Sequence, residues 1–332
     1  MTWNRRTVVI TASAIVAAAA LVIAGFVVLR GGPKQVEPVA SASPTTPAGP
    51  ARSPFTGERV NALGPVLAVK IDNIAQARPP TGLTDADIVY VLPVEGGLSR
   101  ILAIFSSHFP RIVGPVRSAR EDDIELLRQF GRPAYAYSGA QSHLLPVVQR
   151  SRIVSLYAGT TSGYFRNPNR VVPHNLYAVT SQLLAQARGA SKAHDIGFQF
   201  GAAPPGGRRT TSFAVAYPAA SFGFTWSAST SRWLVAMDGS PAATTEDGQL
   251  SAATVVIQYT KVRTSPFREQ GVRPPYAEST GSGTAVVLRD GRAYDARWSR
   301  PQADDGTSFT TASGQPMTFA RGPVWIVLTA SR

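Results

Sequence analysis

The chain of 332 residues contains no cysteine. That excludes disulfides, thiolate metal sites, a cysteine nucleophile and a lipid-modified N-terminal cysteine. Lysine is scarce too: 4 of the 33 basic residues are Lys and 29 are Arg. Only four histidines occur, scattered and without the H-x-x-x-H spacing of a protein-built zinc site, so neither a metal nor a cofactor is expected. There is no G-x-S-x-G elbow, no P-loop and no G-x-G-x-x-G after a strand, which leaves hydrolase, NTPase and dinucleotide readings without their usual support. A basic run of five or more is also missing. From Phe55 onward 28 basic residues stand against 19 acidic ones, a net +9 that is spread along the chain. A nucleic-acid footprint would be concentrated, so no nucleic-acid partner is expected.

What the chain does have begins with 22 nearly unbroken apolar positions, Val8 to Leu29, interrupted only by Thr11 and Ser13. About 20 apolar residues span a bilayer core, and Arg5 and Arg6 before the run favour a cytoplasmic N-terminus. Residues 1–30 are therefore read as a single-pass membrane anchor with the folded part outside the cell membrane. The rival is a cleaved signal peptide and a secreted product. Its apolar region is usually about 7–15 residues long, and the cleavage-like Ala40-Ser41-Ala42 lies well beyond the run. Residues 31–54 hold six prolines with Ser, Thr and Ala, the composition of an extended spacer.

From Pro65 strands alternate with helices. Strands are expected at Val66–Ile71, Ile88–Leu92, Ile101–Phe105, Ala134–Tyr137 and Ile153–Leu156. A helix is expected from Ser118, with Ser118-x-x-Glu121 as a capping box and Gly131 and Pro133 as its stop. Two more follow, from about Ser142 to Arg150 and from a Thr180 cap to about Arg188. After Ala203-Pro204-Pro205-Gly206-Gly207 the pattern changes to short alternating runs parted by Asp-Gly turns, a hairpin signal. The fold expected is α+β or α/β: an N-terminal α/β domain at 55–202 with a mainly parallel or mixed sheet, then a mostly antiparallel β domain at 208–332.

Several long motifs carry a resemblance. "AVKIDNIAQARPPTGLTDADIVY", "VEGGLSRILAIF", "GPVRSAR" and "RNPNRVVPHNLY", with the tail "GSGTAVVLRDGRAYDARWSR…GPVWIVL", resemble the YerB-like family of bacterial envelope lipoproteins, a domain of unknown function with N- and C-terminal modules. The resemblance covers roughly residues 60–330 in order. It implies a two-module exported protein tethered to the outer face of the membrane, with no assigned activity. The missing cysteine departs from the lipoprotein pattern and implies a peptide tether in place of a lipid.

Candidate chemistry gathers at strand ends. In open α/β sheets ligands lie beyond the carboxyl ends of strands, which brings in Asp72, Asn73 and Arg78 after the first strand and Glu95 after the second. Arg100 and Arg117 offer the planar donor forks that suit carboxylate or phosphate. Ser118 adds the free amides of a helix start, while the acidic triplet Glu121-Asp122-Asp123 argues against Arg120. Arg166, Arg170, His174 and Asn175 arrive on a later loop, with His174 closing the site. For each there is a structural alternative: a Glu95–Arg100 or Glu95–Arg117 pair holding a turn, or an imidazole bonded to loop backbone. The leading expectation is a protein binding an anionic or polar cell-envelope ligand, either cell-wall material or an anionic small molecule. The alternatives are an envelope hydrolase or transferase using Glu95 or Asp72 with His174, and a protein-interaction scaffold.

Overall fold

Strands rich in Val, Ile and aromatic residues build the frame that positions the site. The computed structural model describes residues 51–330 apart from Asp247, Glu269 and Gln270. The apolar run at 8–29 and the spacer residues 31–50 lie outside the described residues. Among the described residues no helix is long and apolar enough to cross a membrane. Ala51–Arg52 already pairs with Arg59–Val60, so regular structure begins at the last residues of the expected spacer.

The first half contains β1 (Leu67–Ile71), β2 (Ile88–Pro93), β3 (Ser99–Phe105), α1 (Glu121–Leu127), β4 (Ala134–Tyr137), α2 (Leu145–Arg150), β5 (Val154–Tyr157), β6 (Tyr164–Arg166), β7 (Leu176–Val179) and α3 (Thr180–Gln186). The second contains β8 (Ser212–Tyr217), β9 (Ala220–Ser227), β10 (Arg232–Met237), β11 (Thr254–Thr260), β12 (Gly281–Arg289), β13 (Arg292–Arg300) and β14 (Val324–Ala330). The β12–β13 turn uses Asp290 and Gly291, both at positive φ, as the Asp-Gly signal requires.

An eleven-stranded mixed sheet runs through both halves, in the order β13-β12-β11-β14-β2-β3-β1-β4-β5 with short strands flanking β13. Its seam is β14, which lies parallel to β11 on one side and to β2 on the other. Val324 to Leu328 are all buried, the continuous apolar run of a strand covered on both faces. The fold is mixed α+β, with a mixed sheet in the N-terminal part and antiparallel strands dominating the C-terminal part.

Side chains alternate across the sheet. Leu67, Val69 and Ile71 of β1 pack on the face that also meets α3 and the smaller five-stranded sheet built on β8, β9 and β10. Ala68 faces the other way, toward Leu126, Leu127 and Phe130. Lys70 shares that second face and is fully buried. Its Nζ donates to Asp123 Oδ1 at 2.6 Å. Tyr135 Oη donates to the other oxygen of Asp123 at 2.7 Å. A two-residue period puts Lys70 on the face opposite Leu67, Val69 and Ile71, against α1.

Two helix starts also differ. The N-cap of α1 is Arg120, not Ser118, and Asp123 accepts the Arg120 amide at 2.7 Å. Ser118 and Ala119 stay extended because the Arg117 carbonyl accepts from the Ser138 amide and Ala119 N donates to Gly139 O, both just past β4. Thr180 is the first residue of α3 and makes no side-chain cap; its hydroxyl is buried without a partner.

Asp122, next to Asp123, is buried as well, with Oδ1 unpartnered and Oδ2 facing the Ala277 amide at 3.4 Å. Burial, aided by the neighbouring Asp123 charge, pushes its carboxyl up from 3.8 to about 7. The folded state therefore holds this proton more tightly than the unfolded chain. Its contribution to stability is complete below about pH 4 and disappears as pH rises through about 7. Asp122→Asn should flatten that part of the pH–stability curve relative to the parent protein, read from urea melts between pH 4 and pH 8. Lys70→Met leaves the Asp123 carboxylate buried without its cation and should cost about 3–5 kcal/mol in the same melts. A loss below about 1 kcal/mol would show that the pair does not anchor α1.

Candidate functional site

The carboxyl ends of β1, β2, β4 and β5 and the amino end of the antiparallel β3 all lie at one end of the sheet. Asp72 and Asn73 follow β1 there. The Glu95-Gly96-Gly97 turn joins β2 to β3, with Gly96 and Gly97 at positive φ. Gly97 also admits the β8–β9 turn: a Cβ there would lie 2.6 Å from Pro218. The Gly114–Arg117 segment is laid along the end of β1, with Asp72 N donating to Pro115 O and Arg117 N to Lys70 O. Val116 N donates to Leu176 O, which draws the β6–β7 hairpin and its His174 loop onto the same edge.

Two carboxylates organise the arginines. Glu95 accepts from Arg100 Nη2 at 3.0 Å, from Arg120 Nε at 2.9 Å and from Arg120 Nη2. Burial by itself pushes the Glu95 carboxyl up. The Arg120 hydrogen bond and the charges of Arg100 and Arg120 outweigh it and hold the group down at about 2. Arg100 is brought down to about 10 by burial and by the Arg120 charge, against the opposing pull of Glu95 and Asp72. Its Nη1 reaches Ser118 O at 3.4 Å.

Asp72, whose side chain is 1% exposed, is the second centre. His174 Nδ1 donates to its Oδ2 at 2.7 Å, and Arg117 Nε lies 3.1 Å from the same oxygen. Among the described residues, Arg117 makes no hydrogen bond through its guanidinium nitrogens, and His174 Nε2 has no partner either. The Arg117 side chain is 24% exposed and that of His174 14%. One carboxylate oxygen thus aims a guanidinium fork and an imidazole edge whose remaining nitrogens stay open.

The other candidates take different positions. Asn73 Nδ2 donates to Ser99 Oγ at 2.9 Å, and Arg78 donates to Asn73 O and pairs with Asp238 at 2.8 Å. A groove of about 410 Å³ opens beside Arg78, between the Ala75–Pro80 loop and Met237–Ala243. Ser118 Oγ lies 3.4 Å from Ser138 Oγ. Arg166 donates to Asn175 Oδ1, and Arg170 donates to the carbonyls of Ala77, Arg78 and Pro79. These two arginines and Asn175 lock the His174 loop onto the 75–80 loop and are not gathered at Asp72 or Glu95.

The structural alternative for Glu95 is half right: the Glu95–Arg100 pair forms, while Arg117 turns to Asp72. Sequence reasoning set Arg120 aside because of the acidic triplet beside it. Asp122 and Asp123 in fact turn inward, so they leave Arg120 facing Glu95. The signal was Lys70, a cation inside an apolar strand that demands a buried carboxylate partner.

This arrangement can hold an anion. Among the described residues no hydroxyl hydrogen-bonds His174 Nε2, the arrangement of an activated nucleophile. Among the described residues no group of three or more His, Asp or Glu side chains is placed to hold a metal ion.

Comparison with known proteins gives a consistent result. A curated Bacillus subtilis protein named "Putative lipoprotein YerB" is 46% identical over 83 residues, covering 24% of this chain and 25% of that protein. A crystal structure of the YerB protein from Bacillus subtilis matches with a TM-score of 0.72 at 20% identity, over 85% of this chain and 97% of that one, and shows a shared fold. The family models for the N-terminal and C-terminal domains of DUF3048, each described as a protein of unknown function, match residues 55–194 and 213–326. The chain belongs to the DUF3048 family and carries both of its domains in order.

Proposed function

We propose that the protein is a membrane-tethered extracytoplasmic binding protein that takes an anionic group, carboxylate or phosphate, of a cell-envelope ligand at Arg117 and His174. The observation that carries this reading is the open donor fork of Arg117 beside His174, both oriented by one oxygen of Asp72. Guanidinium matches carboxylate and phosphate geometry with two parallel hydrogen bonds. Glu95 has a supporting part: its one negative charge is shared by Arg100 and Arg120, so the group of Arg100, Arg117, Arg120, Glu95 and Asp72 keeps one positive charge in excess for an incoming anion. The apolar run at 8–29 and the lipoprotein named among the relatives support placing the folded part outside the membrane.

The Asp72–His174 pair also favours a second reading, an envelope hydrolase or transferase with His174 as base. That chemistry needs a water or substrate hydroxyl at Nε2.

Thermal melts of the purified chain with inorganic phosphate and with small carboxylates test the binding reading. A ligand at 100 times its Kd adds about 2.7 kcal/mol of stability. Melting should rise with at least one of these anions. Arg117→Met should keep the fold and weaken that anion by about tenfold or more, since it removes a charged hydrogen-bonding partner. No shift with any anion, or a shift that Arg117→Met leaves intact, overturns the proposal. Turnover of envelope polymer that His174→Gln abolishes would favour the enzyme.

A further inference from the structure

Strand β8 ends the five-stranded sheet, and among the described residues no strand pairs with its outer side. Its sequence, Ser-Phe-Ala-Val-Ala-Tyr, has no charge, proline or glycine. Proteins usually blunt exposed edges with short strands, charges or proline because an open edge recruits another chain. The other outer strands here follow that rule. Arg208–Arg209 and Ser240–Pro241 are two residues long, β6 ends in Arg166, and β5 has four residues. Only β8, among the described edges, runs six residues unguarded.

The register fixes which groups are open. Trp226 N donates to Thr211 O, and Ser212 lies opposite Thr225. Alternation in an antiparallel ladder then turns Phe213, Val215 and Tyr217 toward β9 for hydrogen bonding and leaves the amides and carbonyls of Ser212, Ala214 and Ala216 pointing outward. Those three residues are exposed, whereas Val215 is buried. A trough of about 310 Å³ runs beside them, lined by Ala214 and Ala216, by Ile257 and Tyr259 of β11, and by Thr329 and Ala330 of β14. None of these side chains is charged.

We propose that β8 is a docking edge for an extended peptide segment of a partner protein, added as a sixth strand with small uncharged side chains facing the trough. Paired donors and acceptors repeating every two residues are matched by another extended backbone and by little else. The lining excludes charged side chains, and the short reach of Ala214 and Ala216 leaves space for the incoming strand. The trough's volume of about 310 Å³ suits a single extended segment with small side chains. This edge is independent of the anion site.

The test uses the purified full-length chain and a fluorescein-labelled octapeptide of alternating threonine and alanine, followed by anisotropy. Saturable binding is expected. The same peptide N-methylated at alternate amides should bind at least tenfold more weakly, because only its backbone donors have changed. Ala214→Pro removes the central outward amide and should weaken binding at least tenfold. Ala216→Lys, on the exposed face and harmless to the fold, should do the same if the proline variant does not fold. Absence of saturable binding, equal binding of the N-methylated peptide, or unchanged affinity in Ala216→Lys overturns the proposal. So does a dimer in sedimentation that both substitutions dissolve, which would assign the edge to a second copy.

Discussion

The buried pair of Lys70 and Asp123 is the contact on which the site depends. Lys70 points from β1, between β3 and β4, into an otherwise apolar face, where a carboxylate from α1 meets it. Asp123 answers with all its capacity: it accepts from Lys70, from Tyr135 and from the Arg120 amide. That threefold attachment fixes where α1 begins. With the helix start pinned, the Arg120 side chain reaches Glu95, and the extended Ser118 just before it offers its carbonyl to Arg100. A buried ion pair gives little net stability compared with apolar packing. Here its effect is positional, setting the register of a helix against the carboxyl end of a sheet.

Charge is then distributed between two carboxylates at that end. Glu95 is shared by two deeply buried guanidiniums, which explains why its proton is held so weakly despite burial. Asp72 is shared by Arg117 and His174, and their geometry leaves outward nitrogens open. The two groups are electrically linked through Arg100, which feels Asp72 as well as Glu95. A ligand anion at Arg117 would therefore meet a group of three guanidiniums and two carboxylates that carries one positive charge in excess.

Much of the framework was legible in the residues. Alternating apolar runs located the strands of both halves, and Asp290-Gly291 marked its hairpin, because strand period and left-handed turns are local properties. The convergence of Asp72, Glu95, Arg100 and Arg117 also followed from their places at strand ends. Pairing of charges did not. Arg120 was set aside on its neighbours in sequence, although α1 turns Asp122 and Asp123 away from it. Arg166 and Arg170 were read as ligand donors, although three backbone carbonyls and Asn175 occupy them.

The sequence by itself determined most of the strands, the absence of thiol chemistry and the clustering of cations and carboxylates at strand ends, all of which arise from composition and short-range period. Only the tertiary structure decided that β14 crosses from the second half to lie between β11 and β2, that β8 is an edge among the described strands, and that the Arg117 side chain faces Asp72 without a hydrogen bond of its own. The reason is physical. Strand partners and ion-pair partners are chosen between residues distant in the chain, by which surfaces can be buried together with every charge satisfied, and no local pattern carries that information.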